Sequence, residues 1–248
     1  MRLHCLGTAG YHPNELRHTS CYAVSEAGLV FDAGSGFFRL PAVLETDELD
    51  IVLSHAHLDH VVGLTYLLDV VYQRPLRQVR VWGAEIKLAA IRQHLFNEHL
   101  FPVPIDVQWC PVIAGQPIEI AGGVLEAFSL EHPGGSLGYR IRWPGGPRLA
   151  YVTDTIGGIE QDYVRKLVDC GLLVHECNFR DSSRDWALRT GHAWTSIAAE
   201  VARTCRASKL VLGHINPLET SDDPVGIADA LKIFPQTIIA TDGLVVEF

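Results

Sequence analysis

The segment SHAHLDH, residues 54–60, packs three histidines and an aspartate into seven positions. In an extended segment, side chains two apart point the same way. His55 and His57 can therefore reach one ion together, while Asp59 and His60, just beyond, turn toward a second. Imidazole nitrogen and carboxylate oxygen are donors that zinc accepts in four- and five-coordinate sites. The plainer reading is a polar loop before a helix, with Asp59 as a cap and the histidines exposed. A cluster this dense is a far more specific metal signal than a lone histidine. Three further polar residues, His132, Asp154 and His214, sit close to apolar runs. Each has a structural reading as well: a turn residue before Pro133, a helix cap, and a hydrogen-bonded histidine at a strand end.

The elements that must position these residues follow from apolar patterning. DIVLS (50–54) is a short, continuously apolar run of the kind a strand buried on both faces produces, and it leads straight into the histidines. Strands are also expected at Arg2–Leu6, at about 21–24 and at 28–32, the last ending in FDAGSG. VVGLTYLLDVVY (61–72) reads as helical. So does AEIKLAAIRQHLFNEHL (84–100), which sets Leu88, Ile91 and Leu95 on one face. From 105 to 152 the pattern turns to strands, with turns at Gly122-Gly123 and at Pro144-Gly145-Gly146-Pro147. The last third alternates helix and strand: a helix near 159–169, LLVHE, AWTSIAAEVARTC, LVLGH, PVGIADALKIF, and the closing TIIA and LVVEF. Mixed sheets with helices outside fit this order. The expected fold is α/β, an αββα sandwich over residues 1–248 as one domain. The polar motifs fall at strand ends, where α/β folds keep their sites.

Composition narrows the partners. Lys and Arg total 20 against 29 Asp and Glu, a formal charge of −9. That argues against a broad phosphate-binding face, because nonspecific nucleic-acid affinity comes mainly from Lys and Arg. The opening MRLHCLGTAG lacks a signal peptide's apolar run, and no apolar stretch reaches membrane-spanning length. Six cysteines at 5, 21, 110, 170, 177 and 205 form no C-x-x-C pair and sit mostly in apolar surroundings. They read as reduced thiols, and the expected location is cytoplasmic.

H-x-H-x-D-H after a buried strand resembles the signature of the metallo-β-lactamase superfamily. VFDAG resembles that family's first motif, with Asp32 supporting the metal loop. His132 in EHPGGSLGYRI, Asp154 in YVTDT and His214 in LGHINP match its later motifs in order. The resemblance implies that His55, His57 and His132 hold one ion, that Asp59, His60 and His214 hold another, and that Asp154 bridges them. It implies two zinc ions as cofactor, with manganese or iron as the alternatives.

Within the superfamily, LGTAGYHPNELRHTSCYAV, LLVHECNF and GHAWTSIAAEVARTCRASKLVLGHINP are similar to the ribonuclease Z-like branch. His192 falls on that branch's catalytic histidine, although Ala193 and Trp194 follow it where the branch has Ser and Thr. His192 after Gly191 also has a reading as a helix-start cap, and the neighbouring metal motifs favour the functional one. Asp59 and His192 are thus the catalytic candidates. His175 and Glu176 are expected to support the site from behind. His12, Asn14 and His18 either line the cleft or are solvated loop polars, and His94 and His99 are structural or exposed. Long-armed members of the branch carry a tRNA-gripping arm between the third motif and the bridging aspartate. Here His132 and Asp154 are 22 positions apart (154 less 132), too close for the arm. The implied activity is a phosphodiesterase using a metal-bridging hydroxide on a small or short nucleotide-type substrate. No tight tRNA binding and no membrane partner are expected; homodimers are common in the branch. Two alternatives keep the fold: a lactone, ester or thioester hydrolase, and a di-iron electron-transfer protein.

Overall fold

In the computed structural model, which describes all 248 residues, two seven-stranded mixed sheets lie face to face. The first contains β1 (Arg2–Gly7), β2 (Cys21–Val24), β3 (Leu29–Phe31), β4 (Glu48–Val52), β5 (Gln78–Gly83) and β6 (Gln108–Pro111). The second contains β7 (Pro117–Ile120), β8 (Gly123–Leu130), β9 (Ser136–Arg142), β10 (Arg148–Val152), β11 (Leu172–Glu176), β12 (Lys209–Gly213) and β13 (Thr237–Ile239). The last strand, β14 (Val245–Glu247), returns to the first sheet and pairs antiparallel with β1, His4 opposite Val245. The strand orders are β14-β1-β2-β3-β4-β5-β6 and β13-β12-β11-β10-β9-β8-β7.

The two sheets repeat one plan. β1/β2 and β2/β3 are antiparallel, and β3 through β6 are parallel neighbours. Likewise β8/β9 and β9/β10 are antiparallel, and β10 through β13 are parallel. Parallel strands need crossovers, and these supply the outer layers. The crossover helices include α1 (Leu58–Val61), α2 (Leu67–Gln73), α3 (Glu85–Ala90), α4 (Asp162–Lys166), α5 (Arg184–Thr190), α6 (Thr195–Thr204) and α7 (Ile227–Ile233). The result is the expected αββα sandwich.

Doubly covered strands explain the unbroken apolar runs. In β4, Val52 packs between the sheets while Leu49 and Ile51 face the helices outside. In β11 and β12, Leu172, Val174 and Val211 point inward, and Leu173, Leu210 and Leu212 outward. Each such side chain, fully buried, contributes roughly 1.5–3 kcal/mol. No helix is long and apolar enough to cross a membrane.

Several boundaries differ from the sequence expectation, three of them at helix ends and a turn. The helix expected over 84–100 is helical only from Glu85 to Leu95 and ends in a wider turn. The Asn97 side chain accepts the His99 N–H at 2.9 Å, a local bond that competes with continuing the helix. The segment 62–73 begins as a tighter 3₁₀ turn, Val62–Tyr66, before α2. The hairpin turn lies at Ala121-Gly122, both with positive φ, and Gly123 already belongs to β8.

Candidate metal centre

The carboxyl ends of the central strands of both sheets meet at one edge of the sandwich. β3 is followed by Asp32, β4 by the histidine segment, β8 by His132, β10 by Asp154, and β12 by His214. Asp32, Asp154 and His214 all turn through positive φ, at 56°, 49° and 51°. Aspartate tolerates this conformation better than most residues. Each sharp turn ends its strand next to the site.

His57 is extended (φ −67°, ψ 147°), which carries the strand geometry past β4, whereas Asp59 and His60 lie in the first turn of α1. The change from extended to helical backbone separates the pairs as the sequence spacing implied. Donor atoms of His55, His57, His132 and Asp154 lie within 4.8 Å of one another, and so do those of Asp59, His60 and His214. Asp154 faces both groups. Its Oδ1 is 3.8 Å from His55 Nε2 and 3.5 Å from His132 Nε2, and its Oδ2 is 3.2 Å from His60 Nε2 and 3.3 Å from His214 Nε2. Asp59 Oδ2 approaches His60 and His214 at 3.2 and 3.4 Å.

Outer contacts fix which ring nitrogen faces inward. His132 Nδ1 donates to the Gly191 carbonyl at 3.0 Å, and His60 Nδ1 donates to Asp32 at 2.7 Å. His55 Nδ1 meets the Ser54 hydroxyl at 2.9 Å, and Asn178 Nδ2 donates to His214 Nδ1 at 3.2 Å. Asp32 also accepts from the Ser54 N–H and the Tyr151 hydroxyl, both at 2.7 Å, so the first motif clamps the histidine segment from below. The acceptors on His60 and His132 orient those rings and raise their basicity.

The donor set fits divalent cations. The inward Nε2 atoms of His55 and His132 are buried without any hydrogen-bond partner, a costly state that a cation would relieve. His60 Nε2 and His214 Nε2 face each other at 3.3 Å, two nitrogens converging on one space. Asp32, Asp59 and Asp154 crowd this centre, and the side chains that approach them as ion-pair partners are histidines, with no Lys or Arg among them. Burial and His60 hold His55 well below the usual imidazole range, and burial and His132 lower His57, so both stay neutral, as ligands must. Burial opposes charge on His60, yet Asp59, Asp154 and Asp32 drive it well above its ordinary value. The centre calls for positive charge.

His192 follows α5 and stands beside the cluster, its ring 5.1 Å from that of His132 and 5.2 Å from that of His214. Its Nδ1 donates to both Glu176 oxygens, at 3.1 and 3.2 Å. Glu176, wholly buried at the end of β11, also accepts the Thr155 and Ala193 N–H groups at 2.6 and 3.1 Å. Burial would lower His192, but the Glu176 carboxylate raises it to about 9. With Nδ1 committed, Nε2 is free to work. His192 is not the cap of α6: Trp194 occupies that position.

Other histidines are employed elsewhere. His175 donates from Nδ1 to the Glu176 carbonyl and accepts the Tyr163 hydroxyl at Nε2, away from the donor groups. His18 bonds Ser35 and packs on Phe38, and Asn14 ties its loop to Pro217. His94 is exposed, and exposed His99 pairs with Glu98. The supporting roles of Ser54, Tyr151 and Asn178 escaped sequence reasoning, since nothing in the local pattern singles them out. Glu176 gave a signal, an acid closing a buried strand.

A family model described as Beta-lactamase superfamily domain matches residues 28–215. The ribonuclease Z of Archaeoglobus fulgidus is 27% identical over 298 aligned positions, covering 98% of this chain and 96% of that protein. Among solved structures, the short form of human tRNase Z superposes with a TM-score of 0.80 at 21% identity, covering 100% of this chain and 99% of the other. The Zn(2+)-bound PqqB of Methylobacterium extorquens gives 0.75 at 17% identity and full coverage of both.

Proposed function

The chain belongs to the beta-lactamase superfamily, and from that premise we propose that it is a dinuclear metal-dependent phosphodiesterase acting on a small or flexible substrate. One observation carries the reading: the two oxygens of Asp154 face two separate donor groups, one of them holding orphaned, buried imidazole nitrogens. His55, His57 and His132 would hold one cation, Asp59, His60 and His214 the other, and Asp154 both. Imidazole-rich donors with carboxylates suit zinc, and the zinc-bound neighbour supports that choice, with manganese or iron as substitutes. When bound, such a pair supplies Lewis acidity toward phosphoryl oxygens and makes water acidic enough to react near neutral pH.

The chain's own residues do the rest. Asp59, accepting the Tyr11 N–H at 2.7 Å, is held where it can orient the attacking water. His192, protonated and fixed by Glu176, gives its Nε2 proton to the departing oxygen. The ribonuclease Z and tRNase Z relatives support a phosphodiester over a lactone or thioester. Whole-tRNA processing is disfavoured. At least 50 of the 298 positions aligned with the Archaeoglobus enzyme (298 less 248) have no residue in this chain. The β9–β10 connection is a five-residue turn, 143–147, and the net charge is −9. One core shared by both sheets supports a single domain, and six unpaired, buried cysteines support a cytoplasmic location. Assaying the zinc-loaded protein on a chromogenic phosphodiester, a lactone and a thioester tests the reading. It predicts turnover of the phosphodiester by orders of magnitude over the others, and the reverse order would overturn it.

A further inference from the structure

Seven non-glycine residues have positive φ. Asp32, Asp154 and His214 belong to the metal centre, Ala121 makes the β7–β8 turn, and Asp169 and Arg206 are bonded to each other. The seventh is Tyr11, at φ 60°, the one tyrosine among them and the one large hydrophobic side chain of the seven left exposed. A bulky side chain in this region is a genuine outlier, and glycine would take the position without strain. The fold draws no packing in return, because Tyr11 is 79% exposed.

The strained residue sits at the mouth of the metal centre. Its own N–H donates to Asp59 Oδ2, and the Gly10 N–H donates to the Ile215 carbonyl at 2.9 Å, next to His214. Gly10 lies so close to the His214 ring that an added Cβ would fall 2.4–2.7 Å from three of its atoms. The loop backbone is therefore pressed against both ligand loops, and Tyr11, whose side chain is exposed, sits one residue from the Gly10 contact. His12 lies beside it, ring centroids 5.3 Å apart and edge-on. An exposed, anchored aromatic next to a phosphodiester site is a stacking surface without an occupant in the fold.

Resting on the phosphodiesterase reading, we infer that Tyr11 is a substrate-binding residue that stacks on a nucleobase attached to the scissile phosphate. Stacking on an aromatic side chain is worth about 5- to 150-fold in affinity, the equivalent of about 1–3 kcal/mol.

Adenosine 5′-monophosphate and ribose 5-phosphate share the ribose ring and the 5′-phosphate, with an anomeric hydroxyl in the second where the first carries its base, so their difference reads the base contact. Calorimetric titration of the zinc-loaded protein should show the base-bearing ligand binding about 5- to 150-fold tighter. Tyr11→Gly should erase that preference while leaving ribose 5-phosphate affinity and the melting temperature unlowered, and Tyr11→Phe should keep it. Equal affinities in the wild type, binding of neither ligand, or a preference that survives Tyr11→Gly would overturn the inference. Turnover of thymidine 5′-(4-nitrophenyl) phosphate is measured alongside. Its absence with the base preference intact would sink the phosphodiesterase reading and leave Tyr11 as a nucleotide-binding residue.

Discussion

Replacing His192 with alanine separates three roles its position permits: proton donor, metal ligand and structural support. Its donor atom lies within 4.8 Å of those of Asp154 and His214, so ligation is a geometric alternative to catalysis. The bond from Nδ1 to Glu176 sets the expected stability cost. Glu176 keeps the Thr155 and Ala193 N–H groups when the imidazole goes, so it loses one of three partners and retains its charge. The loss should be about 1–3 kcal/mol, the range for a weakened buried polar group, and the protein should stay folded. A general acid contributes about 10²–10⁴-fold, roughly 3–5.5 kcal/mol of barrier. That contribution depends on the leaving group, because nitrophenolate departs readily without a proton and a ribose alkoxide does not. The assay is kcat on two diesters that share one phosphoryl group and differ in this leaving group, with metal content measured on the same samples. His192→Ala should fall by the full range on the alkoxide, by much less on the nitrophenolate, and retain both metal equivalents. An equal loss on both substrates, or the loss of one metal, would refute the proton-donor role.

Asp32→Asn removes a carboxylate that accepts from Ser54, His60 and Tyr151, and should weaken metal affinity by about 10–100-fold in a chelator competition. Gly10→Ala drives a methyl group against the His214 ring and should lower both the melting temperature and metal uptake, with the greater effect on uptake. Binding of tRNA, followed by fluorescence anisotropy across a salt series, should be weak at physiological salt and should vanish as salt rises. Site-specific cleavage of precursor tRNA with tight binding would contradict that expectation.

The histidine segment was legible because metal ligation constrains residue type and spacing within seven positions, and the backbone change after His57 preserves that local logic. Runs such as 50–53 and 172–174 announced buried strands because both of their faces are covered. Long-range pairing left no comparable trace. Nothing in Val245–Glu247 indicates that it completes the first sheet beside β1, and the shared plan of the two sheets is a property of hydrogen bonding, not of residue identity. The helix expected over 84–100 overruns the observed end at Leu95, because Phe96 and Leu100 continue the apolar pattern past the point where the Asn97 side-chain bond wins locally. Asp32 and Glu176 were legible as supports from their motifs, whereas Tyr151 and Asn178 were hidden for the same reason as the pairing. Tyr151 lies 119 residues from Asp32, and a tyrosine in an apolar strand reads as core until its hydroxyl is placed.

The central claim is that Asp154 joins two cation sites, and metal stoichiometry tests it most directly. Wild-type protein purified without chelator, offered zinc and freed of excess should carry about two equivalents per chain by elemental analysis. Asp154→Ala should carry one or fewer while keeping its fold by circular dichroism. A wild type that binds no zinc, or an Asp154→Ala variant that still holds two ions as tightly, would contradict the account.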